Sequence, residues 1–145
     1  MPAKARLAPI ADLASHRQRL AEKALADAQR QVAGRREMLA QLSRFRDDYD
    51  TAQQRAEVGA RSVAALRDFE HFLARLDQAV HQQRRELTEA QAVSTQLRTA
   101  LRDATARAEG LKLVLERAAD LERRRDDARE QRLLDELASF AYLRR

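Results

Sequence analysis

Between Leu66 and Ala118 the chain repeats a rhythm of alternating three- and four-residue steps: Leu66, Phe69, Leu73, Leu76, Val80, Gln83, Leu87, Ala90, Ser94, Leu97, Leu101, Ala104, Ala108, Leu111, Leu115 and Ala118. All but Gln83 and Ser94 of these positions are apolar. A rhythm of this kind keeps one face of a slightly under-wound helix turned toward a partner, and sustained over many turns it imposes a left-handed supercoil. A charged block follows, Glu122-Arg123-Arg124-Arg125-Asp126-Asp127, and then Leu133, Leu134, Leu137 and Phe140 or Ala141 form a further apolar stripe. The pattern predicts a helix over 62–143.

The first part of the chain is less regular. Apolar residues recur from Ile10 through Leu13, Leu20, Ala24 or Leu25, Ala28 and Val32, then at Met38, Leu42, Phe45, Tyr49, Ala52 and Ala56. This predicts a helix over 9–57, with Pro9 ahead of or inside its first turn, where proline breaks no backbone hydrogen bond. The rhythm stops around residues 57–62. There Gly59 can take a left-handed C-cap and Ser62 can cap the following helix, so a hinge is expected over 58–62. Gly34 and Gly110 interrupt no phase and read as tolerated small residues, each costing about 1 kcal/mol. The expected fold is therefore all-α: an antiparallel two-helix coiled coil, one domain over 1–145, with the second helix longer than the first.

At 1.5 Å per residue the two helices would be ~70 Å and ~120 Å long, so folding back at Gly59 leaves the second helix overhanging. If Ala56 faces Leu66, Ile10 lies near Leu111, and residues after Leu115 have at most the first nine residues beside them. The stripe at Leu133, Leu134, Leu137 and Phe140 would then face water, which marks a partner site. A second irregularity lies near the hinge. Phe72 is out of phase with Phe69, Leu73 and Leu76 and points sideways, with Ala79 and Gln83 following it and with Leu42, Phe45 and Tyr49 across the hairpin. It either broadens the core or anchors a partner.

Composition agrees with helices and removes much chemistry. Ala, Leu, Arg, Glu and Lys make up roughly 60% of the residues, above the level of about half that marks coiled coils, while Gly 3, Pro 2, no Trp and 4% aromatics leave a sheet fold without turns or fillers. With no Cys there is no disulfide, thiolate site or thiol nucleophile. His16, His71 and His81 lack metal-ligand spacing, and Asp47, Asp48, Asp50, Asp126 and Asp127 belong to no calcium loop or Glu-x-x-His pair. No phosphate-binding loop or nucleophile elbow is present, so neither an enzyme nor a cofactor or metal site is expected. The net charge of +5 and the clusters Arg35-Arg36, Arg84-Arg85 and Arg123-Arg124-Arg125 invite a nucleic-acid reading. These clusters sit beside acids, however, and no basic stretch precedes the heptads, so no nucleic-acid partner is expected. No apolar run has the length of a signal peptide or a membrane span, which leads to the expectation of a cytoplasmic protein.

Four segments carry a resemblance: Arg6-Leu7-Ala8-Pro9-Ile10-Ala11-Asp12-Leu13-Ala14, Leu42-Ser43-Arg44-Phe45-Arg46-Asp47-Asp48-Tyr49, the run from Phe69-Glu70-His71-Phe72 to Gln78-Ala79-Val80, and Leu134-Asp135-Glu136-Leu137-Ala138. In order and spacing the chain resembles the flagellar export protein FliJ family. The resemblance implies an antiparallel coiled coil similar to the γ stalk of rotary ATPases. It also implies a cytoplasmic export component, peripheral to the inner membrane, that promotes assembly of the hexameric export ATPase FliI, links it to the export gate FlhA and escorts export chaperones. The family's gate-binding positions fall on Met38, Leu42, Phe45, Tyr49, Phe72, Leu76, Ala79 and Gln83. Met38, Phe45 and Gln83 depart from the family's glutamine, tyrosine and histidine, and Leu66 or a neighbour stands where the family often has Trp. By analogy with γ, the ATPase end would use Leu133, Leu134, Leu137, Phe140, Arg144 and Arg145. The equivalent stalk of a virulence secretion system and a coiled-coil scaffold that pairs between chains are the alternative readings.

Overall fold

A computed structural model describes residues 2–56 and 62–144, the side chain of Ala56 excepted. It consists of two helices, α1 (Ala3–Ala56, 54 residues) and α2 (Val63–Leu143, 81 residues), packed against each other as a hairpin. Both are rich in Ala, Leu, Arg, Glu and Gln, the residues that lose least on entering a helix. Among the described residues there is no strand.

Packing divides the chain into two units, Met1–Ala21 with Ala100–Arg145, and Glu22–Thr99. In the second unit Arg35 pairs with Glu86 and Arg46 with Asp77, so residue numbers rise along α1 as they fall along α2. In the first unit Gln18 donates to Thr105 Oγ1 at 3.2 Å. Pro2 and Ala3 share a groove with Ala118, Leu121, Glu122, Arg125 and Arg129. Beyond that groove residues 130–143 of α2 are exposed, which is the expected overhang.

The seam of α2 is the one its sequence predicts. Every position of the three-four series from Leu66 to Ala118 is buried or half-buried, and Glu122 continues it. The seam of α1 differs from expectation. Its buried and half-buried positions follow Leu7, Ala11, Ala14, Gln18, Ala21, Leu25, Ala28, Val32, Arg35, Leu39, Leu42, Arg46, Tyr49 and Gln53. Ile10, Leu13, Leu20, Met38 and Phe45, expected inside, lie outside it and are about half exposed. The α1 seam mixes alanines with Leu25, Val32, Leu39, Leu42 and Tyr49 and with polar residues, so bulk alone does not mark it. Gln18, Arg35 and Arg46 enter it with their heads on Thr105, Glu86 and Asp77 of α2, while their aliphatic stems cover the interface. The core is thin, and among the described residues no large side chain is fully buried.

Two local features also bear on expectation. α1 begins at Ala3, so Pro9 lies inside the helix rather than in its first turn. The first backbone bond runs from Arg6 N–H to the Pro2 carbonyl at 3.3 Å. Pro9 is exposed and leaves the Ala5 carbonyl without its helical donor, while Leu7 and Ala8 just before it are half-buried. At the start of α2, Ser62 acts as the expected cap, its Oγ accepting from Ala65 N–H at 3.2 Å. The rest of the expected hinge, including Gly59, lies outside the described residues.

Candidate functional site

The residues expected near the hinge all fall in the Glu22–Thr99 unit and divide into an inner and an outer set. Tyr49 belongs to the α1 seam; its ring stacks on Phe69 with centroids 5.4 Å apart and meets the edge of Phe72 at 4.6 Å. Such pairs add to the burial of their own area and fix ring orientation. Leu42 and Gln83 are half-buried seam residues, and Leu76 is buried at 8% exposure. The Gln83 Oε1 is buried without a hydrogen-bond partner among the described residues.

Met38, Phe45, Phe72 and Ala79 form the outer set. Each immediately precedes a seam residue: Leu39, Arg46, Leu73 and Val80. In an antiparallel pair, positions with this offset on the two helices share one flank. Met38 and Phe45 are 51% and 53% exposed, and Phe72 and Ala79 are half-buried. The structure thus brings all eight expected residues to one stretch of the hairpin, with Leu76 as floor and Met38, Phe45 and Phe72 as accessible surface. Leu39, absent from the sequence-based set, replaces Met38 in the seam. The four-three phase running back to Leu25 and Val32 is the signal that finds it.

The opposite flank is charged. Residues that follow the seam there include Ser43, Asp50, Glu70, Asp77 and Arg84. Arg46 reaches across to this side, donating from Nε to Asp77 at 2.8 Å and from Nη1 to Asp47 at 3.2 Å. The hydrogen bond to Asp77, followed by that to Asp47, raises the pKa of this guanidinium above its ordinary value. The guanidinium is therefore cationic at neutral pH and well above it, and the pair it forms with Asp77 needs that carboxylate ionised. Around the Tyr49 ring one flank thus presents Met38, Phe45, Phe72 and Ala79, and the other the Arg46–Asp77 pair.

In the unit containing the chain ends, the expected ATPase-facing residues lie on the overhang. Leu133, Leu134, Leu137 and Phe140 are between 55% and 67% exposed. They do not prolong the seam. Continuing the three-four series from Glu122 leads to Arg125, Arg129, Arg132, Glu136 and Ser139, all exposed and none apolar. The seam therefore ends beside the start of α1, and the apolar stripe turns to a different side of α2. Arg144 is exposed, and Arg145 lies outside the described residues.

Among the described residues no group of three or more His, Cys, Asp or Glu is placed to hold a metal ion, and no helix is long and apolar enough to cross a membrane. In comparison with protein families the chain matches the model of the flagellar FliJ protein over residues 3–145. No curated protein and no solved structure matches the chain. A match over nearly the whole length, on a hairpin whose second helix outruns its first, places the chain in the FliJ family, whose members are components of the flagellar type III export apparatus.

Proposed function

We propose that this chain is a non-enzymatic, cytoplasmic stalk of the flagellar export apparatus, peripheral to the inner membrane, that joins a hexameric export ATPase of the FliI type to an export gate of the FlhA type. The observation that carries this reading is the exposed stripe of Leu133, Leu134, Leu137 and Phe140, which is turned off the seam and so is left without an intramolecular use. A helix end of this kind, followed by Arg144 and Arg145, suits insertion into the axis of a ring. The flank of Met38, Phe45 and Phe72, backed by Leu42, Tyr49, Leu76, Ala79 and Gln83, is the proposed gate contact. An escort role toward export chaperones belongs to the same reading through the resemblance.

Co-sedimentation with the cognate ATPase tests it. The full chain should bind, and a chain ending at Ala128 should lose binding while keeping the helical signal of its paired segment. Undiminished binding by the shortened chain would remove the overhang from the account.

A further inference from the structure

A third surface lies in the unit formed by Met1–Ala21 with Ala100–Arg145, apart from both surfaces already described. Its geometry follows from the seam. On α1 the residues immediately before the seam positions are Arg6, Ile10, Leu13, Arg17 and Leu20. On α2 the corresponding run includes Arg107, Gly110, Val114, Arg117 and Leu121, with Arg124 one step further. These two rows share a flank of the antiparallel pair. Ile10, Leu13, Leu20, Val114 and Leu121 are each about half exposed on it, and a Cβ built on Gly110 would meet nothing within 4 Å.

The charge on this flank is one-sided. Asp103 is its single acid, and among the described residues Arg6, Arg17, Arg107, Arg117 and Arg124 form no ion pair. The residues that follow the seam in the same unit, by contrast, mix Asp12, Glu109 and Glu116 with Arg19, Arg102, Lys112 and Arg123. In the Glu22–Thr99 unit the residues preceding the seam carry Asp27, Asp48, Asp68, Glu86 and Glu89. An apolar strip edged by unpaired arginines is thus confined to one flank of one unit. Half-exposed apolar side chains from two neighbouring helices offer a third helix an apolar strip to pack against, with opposite charge needed at its rim.

We propose that this flank docks an acidic amphipathic helix of a partner protein, whose apolar stripe covers Ile10, Leu13, Leu20, Val114 and Leu121 and whose bordering Asp and Glu pair with the arginines. Exposed charges at such a rim govern choice of partner and salt dependence, while the apolar centre supplies affinity.

The test uses the full chain and two labelled synthetic four-heptad peptides with identical leucine seams, one with glutamate at the flanking positions and one with lysine. Fluorescence anisotropy should show the glutamate peptide binding at least about tenfold more tightly than the lysine peptide, with the advantage shrinking as salt is raised. The double variant Arg17→Glu with Arg117→Glu should reverse the preference, and Leu13→Glu with Val114→Glu should lose the glutamate peptide. All four residues are outside the seam, so circular dichroism should be unchanged. Leu134→Glu, on the overhang, should have no effect. Equal binding of the two peptides, or loss of binding in Leu134→Glu instead, would overturn the proposal. A doubled mass in light scattering that Arg17→Glu with Arg117→Glu returns to monomer would assign the flank to a second copy. Capture of the chain by phosphatidylserine vesicles without binding of the glutamate peptide would assign it to a lipid surface.

Discussion

The two helices meet along one seam but bring different material to it. In the Glu22–Thr99 unit α2 presents Leu66, Phe69, Leu73, Leu76, Val80 and Leu87 with Gln83 and Ser94 as polar exceptions, whereas α1 interleaves Leu25, Ala28, Val32, Leu39, Leu42 and Tyr49 with Arg35, Arg46 and Gln53. Other large apolar residues of α1, Ile10, Leu13, Leu20, Met38 and Phe45, stand outside the seam. The difference separates two tasks. The α2 seam holds the hairpin together, and α1 meets it with a mixed row while turning part of its bulk to surfaces that face elsewhere. Large side chains left exposed in this way are surface open to a partner.

Substitutions that treat the helices alike expose this asymmetry. Leu76→Ala, at a position only 8% exposed, should cost about 3 kcal/mol by removing seam packing and leaving a cavity. Phe45→Ala, which removes a larger side chain, should cost less than about 0.5 kcal/mol because its site is outside the seam. Equal losses in chemical denaturation would break the distinction. Enlarging rather than trimming probes the other helix. Ala14→Leu, at 5% exposure, should cost about 2 kcal/mol because α1 has no room to move away without separating the seam. A neutral result would mean the alanines do not set the spacing. One further substitution has the opposite sign. Gly110→Ala should raise stability by about 1 kcal/mol, read as a higher thermal midpoint, because nothing within 4 Å meets the added methyl.

The same asymmetry explains what the sequence reveals. Along α2 the packing residues from Leu66 to Ala118 are apolar except Gln83 and Ser94 and keep an unbroken three-four phase, so the seam is readable position by position. Along α1 hydrophobicity and geometry diverge. A reader who follows the bulkiest side chains selects Ile10, Leu13, Met38 and Phe45 and lands beside the seam, because Ala11, Ala14, Arg35 and Arg46 carry no outward sign of burial. Arg46 enters only because Asp77 waits across the interface at 2.8 Å, a pairing that exists once the helices are in register. Pro9 is a similar case, standing inside the helix where local propensity alone would not put it. The flank of Met38, Phe45 and Phe72 was partly legible, through the phase of Phe72 and through resemblance. The arginine-edged flank was not, since it emerges only when the true phase of α1 is known.

The central claim is that this hairpin acts on a partner ATPase rather than carrying out chemistry itself. Its most direct test is the rate of ATP hydrolysis by the cognate FliI-type ATPase, measured with and without an equimolar amount of the chain, while light scattering follows ring assembly. The account predicts faster hydrolysis together with a hexamer-sized species. An unchanged rate with no change in scattering would contradict it and leave a coiled-coil scaffold in its place.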